Sequence, residues 1–183
     1  PYQISRVEDW QELMTTPDDW SSSFILTSDV NLAGVTLTPV GNGEAPFTGS
    51  FNGNDNIISN AVINQPGRNL VGLFGLVGSG GQIRNLGVED VNITGNDYVG
   101  GLIAWSSNGT LTSCYATGSV SGNDSVGGLV GISGGALSAL TSCYATGSVS
   151  GGYQVGGLVG LNLSLLTSCY ATGAVTGTRD NIG

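Results

Sequence analysis

After residue 50 the chain shows no helical period; short runs of Val, Ile, Leu and aromatic residues alternate with clusters of Gly, Asn, Asp and Ser. The runs read as strands and the clusters as turns. They also repeat. VGGLIAW (99–105), VGGLVGI (126–132) and VGGLVGL (155–161) follow one another at steps of 27 and 29 residues. SCYATGSV stands at 113–120 and 142–149, and SCYATGAV at 168–175, so the three cysteines lie 29 and 26 residues apart. Upstream, GLFG (72–75) aligns with GLIA (101–104), and IRNLGVEDVNITG (83–95) takes the place of LTSCYATGSVSG (111–122). A more divergent copy, FTGSFNGNDNIISNAVIN (47–64), begins the series.

A module of about 27 residues holding several short strands suits one coil of a parallel β-helix, in which neighbouring coils pair at about 4.8 Å and equivalent residues stack into ladders. Leucine-rich repeats have similar periods, but their leucine and asparagine spacing is absent. The chain is thus expected to be a single all-β solenoid over 1–183, with about five coils in 46–183, the last one truncated.

Residues 1–45 show another pattern. Ser5 and Glu8 form a capping-box signature, followed by an apolar helical face of Val7, Trp10 and Met14 with Leu13 beside it. Thr16 and Pro17 mark a second helix start, with Asp18 and Asp19 in its first turn. A solenoid's first coil exposes apolar side chains and an unpaired strand edge. A helix over that end covers both, so 1–45 is expected to be the N-terminal cap. At the other end, TGTRDNIG (176–183) re-enters the module, Ile182 matching Val155; the expectation is that further repeats or a neighbouring chain meet this uncapped end.

Composition narrows the chemistry. Charged residues are 9% of the chain and the net charge is −9, with no Lys and no His. That excludes the basic stripe of a nucleic-acid binder and polybasic attachment to a membrane. It also excludes His-based nucleophile activation, Schiff-base lysines and His-bearing zinc sites. No apolar run is long enough to cross a bilayer, so direct membrane insertion is not expected.

The VGGLVG…LTSCYATGSVSG pattern, preceded by PYQISRVEDW…FILTSDVNLAG…FTGSFNGNDNIISN, resembles the GLUG-motif repeat family. The resemblance implies a right-handed β-helix in secreted or cell-surface bacterial proteins, including adhesin-like proteins and non-catalytic regions of some immunoglobulin A peptidases. It carries no catalytic residues.

Stacking then assigns the faces. Cys114, Cys143 and Cys169 replace Leu86, and Ala116, Ala145 and Ala171 replace Val88, so these ladders are expected inside, the thiols acting as small apolar groups. Parallel Cβ vectors on one ladder suit neither a disulfide nor a tetrahedral metal site. Tyr115, Tyr144 and Tyr170 should then face outward, flanked by Ser113, Ser142 and Ser168 and by Thr117, Thr146 and Thr172. Such a face could stack on sugars or anchor a protein; the plainer reading is that stacked tyrosines stabilise the sheet. Flat Ser/Thr arrays also raise ice binding as a minor alternative.

Leu102, Leu129 and Leu158 adjoin Ile103, Val130 and Val159, and in a regular strand one of the two ladders must face away from the core. The glycine pair before them permits a bend that resets the phase. Asp97 and Asp124 align in GND turns beside Asn96 and Asn123; they are calcium candidates, although GGYQ breaks the series and turn chemistry explains them equally well. No other cofactor is expected.

Fold analogy raises a polysaccharide-acting enzyme. A glycosidase needs two facing carboxylates, which the later modules scarcely supply, and Arg84 near Glu89 and Asp90 is the only cluster suggesting a lyase. The favoured reading is a non-catalytic module presenting a side surface to protein or glycan, with a self-assembling fibre as the other alternative. Four N-x-S/T sequons (Asn92, Asn108, Asn123, Asn162) read as incidental in a bacterial setting.

Overall fold

Identical residues one coil apart pair in register. The computed structural model describes residues 1–183 and is a parallel β-solenoid of about six turns. Its strands form a 14-stranded, a 4-stranded and a 3-stranded sheet, and every pairing is parallel. One inward ladder runs Phe24, Phe51, Ile83, Leu111, Leu140 and Leu166 from coil to coil. Most of it is fully buried, and the ladder encodes the module period directly: each coil adds one apolar side chain on top of the last.

Corners are made by single residues in the left-handed region. Asn85, Ser113, Ser142 and Ser168 occupy one corner at φ of 50°, 53°, 54° and 54°. Leu70, Tyr98, Ser125 and Gln154 occupy another at 60°, 61°, 53° and 49°. Positive φ in such residues costs on the order of 1 kcal/mol each and persists because the strands on either side are held by two neighbouring coils. The corner conformation is therefore imposed by stacking, since Leu, Tyr and Gln have no local preference for it.

The N-terminal segment plugs the first coil. Strand Tyr2–Ile4 pairs with Phe24–Leu26, and helix Val7–Thr15 turns Trp10 into the interior. Trp10 is fully buried and meets Phe51 and Phe74 edge-on at 5.8 and 6.0 Å. Trp20 donates its indole N–H to the Leu13 carbonyl at 2.8 Å, tying the helix end to the wall. Three details differ from the expectations drawn from sequence. The helix starts one residue later than Ser5 implies, with Arg6 as N-cap. Asp9, not Glu8, therefore reaches back to accept from the Ser5 N–H and hydroxyl at 2.8 and 3.0 Å. Thr16 is the N-cap residue of the second helical piece, with Pro17 at its start, but that piece is a single 3-10 turn, Pro17–Asp19, and the Thr16 hydroxyl does not cap it: it donates back to the Glu12 carbonyl at 2.9 Å. Strand stacking moreover begins inside the 1–45 segment, with Tyr2, Gln3 and Ile4 on Phe24, Ile25 and Leu26 and then Ser23, Phe24 and Ile25 on Ser50, Phe51 and Asn52. Those strands precede both repeated phrases, so no motif marks them. At the far end Ile182 bridges Val155, as the repeat alignment expects.

The glycine pair resolves the alternation problem. Leu102, Leu129, Ile103 and Val130 are all fully buried, so neither ladder faces solvent. The strand Asp97–Gly100 ends at the glycines and the next begins at Ile103, leaving Leu102 in the bend between them. The bend passes close to the opposite wall. A Cβ placed on Gly101, Gly128 or Gly157 would lie 3.3, 3.0 or 2.9 Å from the methyl of Ala116, Ala145 or Ala171. The coil facing Val88 instead of Ala carries a single glycine, Gly72, before Leu73. The apolar ladder that does reach solvent lies two residues on, where Trp105 pairs with Leu76 and Ile132 and is 36% exposed.

Gly128→Ala should accordingly destabilise the chain by about 1–3 kcal/mol, the usual cost of overpacking. Its Cβ would overlap the Gly157 carbonyl oxygen, whereas Gly67→Ala meets nothing within 4 Å and should be neutral. Urea midpoints at constant m-value decide this; equal midpoints for the two variants would refute the tight packing of Gly128 against the Gly157 backbone of the next coil.

Candidate functional site

Gly87, Tyr115, Tyr144 and Tyr170 stand in register on the outer side of the wall whose inner side carries the cysteines and alanines. The three rings lie face to face, with centroids 4.9 and 5.0 Å apart and planes within 2° and 4° of parallel. Strict parallel register produces this: identical side chains in identical rotamers repeat at the strand spacing. Gly87 seats the stack, for a Cβ there would lie 2.5 Å from the Tyr115 ring. Because the Tyr115 ring covers bare backbone, its hydroxyl reaches Glu89 and donates to Oε1 at 2.6 Å.

Burial first, then the hydrogen bond and charge of Glu89, push the Tyr115 hydroxyl well above its ordinary pKa of 10.0. Burial and the neighbouring Tyr170 raise Tyr144 as well. Tyr115 and Tyr144 are half-buried and Tyr170 is exposed.

This geometry limits what the stack can do. Sugar stacking uses a ring face, and here every face is covered by the next tyrosine or by Gly87 except the outer face of Tyr170, the last ring of the stack. The surface presented by Tyr115 and Tyr144 is one of ring edges and hydroxyls. Thr146 and Thr172 beside them are exposed, but Thr117 is engaged, its Oγ1 accepting from the Asp90 N–H at 3.0 Å. The sequence reading missed a neighbouring hydroxyl field. Ser119 and Ser148 continue the Asn92 ladder, and Ser121 and Ser150 continue the Thr94 ladder. Thr94 and Ser121 hydroxyls bond across coils at 3.0 Å, and Ser119 donates to Asn92 Oδ1 at 3.3 Å. Its signal was the SVS alternation around the inward Val120 and Val149.

The other sequence candidates are dispersed over the solenoid. Cys114 pairs with Leu86, and Cys114 and Cys143 are fully buried, as the alignment with Leu86 required; on the outermost coil, with no further coil over it, Cys169 is half-buried and Ala171 exposed. Their thiols donate to the Thr112 and Thr141 carbonyls at 3.4 and 3.3 Å. The adjoining Cys143 thiol and burial hold the Cys114 thiol well above the usual range. Asp97 and Asp124 stack in register, and Asp97 Oδ1 accepts from Asn123 Nδ2 at 2.9 Å. Asp124 Oδ1 accepts from the Ser125 hydroxyl at 3.0 Å, and the next place in the ladder is Tyr153. Arg84 lies on an outward ladder between Asn52 and Thr112, while Glu89 is bonded to Tyr115. Both ion pairs of the chain belong to Arg6, so Arg84 and Glu89 are not paired.

The sequence model of the GLUG motif matches residues 95–121, 122–150 and 151–176, each match opening at the glycine that follows a hydroxyl strand. Halomucin from Haloquadratum walsbyi is 35% identical over 133 residues, 66% of this chain and 1% of halomucin. A protein designated a Gly-rich membrane protein, from Evansella cellulosilytica, is 36% identical over 69 residues, 38% of this chain and 8% of that protein. The chain thus spans a small part of both relatives. A solved structure designated an immunoglobulin A1 protease, from Bacteroides ovatus, superposes with a TM-score of 0.71 over 99% of this chain and 68% of that one. At 19% identity this is a likeness of fold.

The tyrosine geometry has a pH signature. A phenol whose pKa is raised in the folded state lends stability that is complete below its unfolded value and lost as pH rises past it. Stability should therefore fall above about pH 10, and less steeply in Tyr115→Phe. In an ultraviolet titration of the native chain Tyr115 should ionise well above the ordinary tyrosine value of 10.0, and Glu89→Gln should bring it down. A wild-type Tyr115 that titrates at the ordinary tyrosine value would contradict the Glu89 contact.

Proposed function

Over residues 95–176 the chain belongs to the GLUG-motif family, and on that footing we propose that it is a non-catalytic β-helical module of a secreted or cell-surface protein, serving as a stalk segment with an adhesive side face. The observation that carries this reading is the outward ladder chemistry. Tyr115, Tyr144 and Tyr170 edges, Thr146 and Thr172, and the Ser119/Ser148 and Ser121/Ser150 rows recur coil after coil, uncharged and able to hydrogen-bond. The names of halomucin and of the Gly-rich membrane protein support a surface setting.

A single neutral hydrogen bond contributes only about 0.5–1.5 kcal/mol, so one coil binds weakly. Repetition at about 4.8 Å per coil offers the same contact several times along one axis, and several weak contacts held in one geometry add up. The partner that fits is an extended, uncharged, hydroxyl-rich chain, a glycan, bound through edges and hydroxyls. The low charge of the face leaves such a partner unrepelled.

The test is a glycan array probed with the wild type and with a Tyr115→Phe/Tyr144→Phe/Tyr170→Phe variant. Phenylalanine keeps the stack and removes the hydroxyls, so binding should drop by at least about tenfold. Unchanged binding would remove the tyrosine hydroxyls from the proposal. In parallel, acidic polysaccharides should yield no new reducing ends and no unsaturated products; turnover that disappears in Glu89→Gln would overturn the non-catalytic reading.

A further inference from the structure

The solenoid wall contains one strand whose lower edge is open in mid-chain. Val62–Asn64 pairs with Asn92–Thr94 of the next coil. In the coil beneath, Ser23–Ile25 and Val30–Asn31 support the two preceding segments of wall, but nothing supports this one. The chain leaves the wall after Asn31, turns at Gly34 with φ of +76°, and rejoins it at Val40, which bridges Phe74. Between them the backbone bond of residues 33–38 is local, from Val35 N–H to the Leu32 carbonyl.

The direction of the free groups is set by parallel pairing, in which alternate residues address opposite neighbours. Gln65 N–H donates to Thr94 at 2.8 Å and Asn92 N–H donates to Ala61 at 2.9 Å, so Ala61, Ile63 and Gln65 face the next coil. Val62 and Asn64 therefore turn their N–H and C=O the other way, and no backbone group of the chain bonds them there. These groups line an uncharged groove between residues 34–37 and 62–65. A second observation points the same way. The outward ladder that is polar in later coils, Asn92, Ser119 and Ser148, begins with a valine, and Val62 is 51% exposed. The apolar rungs of that ladder, Val62 and Ala174, fall at its two ends, where an edge is unpaired.

We propose that this edge accepts an extended strand from a partner protein, laid parallel to Val62–Asn64 and bonded through the N–H and C=O of Val62 and Asn64. The strand carries a β-branched residue opposite Val62 and an uncharged polar residue opposite Asn64, and extends the wall downward by one rung. It binds apart from the tyrosine face and does not depend on the adhesive reading.

The probe is the peptide acetyl-Ser-Val-Thr-Val-Ser-amide, added at millimolar concentration to the 183-residue chain and followed by residue-resolved amide exchange. At saturation the Val62 and Asn64 amides should exchange at least about tenfold more slowly, while Ile63, already bonded to the next coil, should not change. Val62→Pro removes an outward N–H that the existing ladder does not use and should abolish the protection. Val62→Thr keeps that N–H and should retain it. Circular dichroism and thermal midpoints of both variants confirm the fold. The proposal is overturned if the peptide leaves both amides unchanged, if protection survives Val62→Pro, or if both amides are already protected without peptide. It is also overturned if protection follows protein concentration, which would make a second copy the occupant.

Discussion

The backbone bend at each glycine pair crosses the inside of the coil within van der Waals reach of the opposite wall, and the rest of the molecule is arranged around that approach. Gly101, Gly128 and Gly157 pass Ala116, Ala145 and Ala171 so closely that neither side tolerates a larger residue without movement. The repeated phrases are two halves of one contact. Small residues are required on the inner side of SCYATG, and the same strand, by alternation, sends its tyrosine out. The thickness of the core thus fixes the chemistry of the surface.

Stacking then governs which side chains the surface can hold. A like charge repeated at about 4.8 Å costs on the order of 1 kcal/mol per step even in water, and more where water is partly excluded. After residue 55 the acids are only Glu89, Asp90, Asp97, Asp124 and Asp180. Asp97 and Asp124 are the pair that stack, and an Asn123 amide reaches across to Asp97. Tyrosine, serine and threonine carry no such penalty; their rings and hydroxyls gain from repetition. The low charge of the chain is a consequence of the architecture, and it leaves hydrogen bonding as the main language of the side face.

The two N-terminal edges are treated differently. Tyr2–Ile4 extends the first segment of wall, and helix Val7–Thr15 drives Trp10 among Phe51 and Phe74, which closes the interior to water. Two segments further round the coil, the chain departs at Gly34 and leaves Val62–Asn64 without a neighbour on its lower edge. Closing the core and pairing the edge are separate tasks in a solenoid, and this chain completes the first alone.

Much of this was legible in the sequence because parallel in-register stacking places equivalent residues on top of one another. Period, coil architecture, buried cysteines and outward tyrosines all come from aligning the modules, and the match of Cys114 to Leu86 was enough to assign a face. What alignment cannot carry is backbone direction inside the coil. The burial of both Leu102 and Ile103 depends on a bend whose path is set by contacts with the next coil, not by alternation. The covered faces of the tyrosine rings depend on one rotamer repeating at the strand spacing, and the Glu89 contact on the absence of a side chain at Gly87. The sequence by itself determined which residues stack; the tertiary structure alone decided which atoms of them are left to meet anything else, because that is settled by packing between coils.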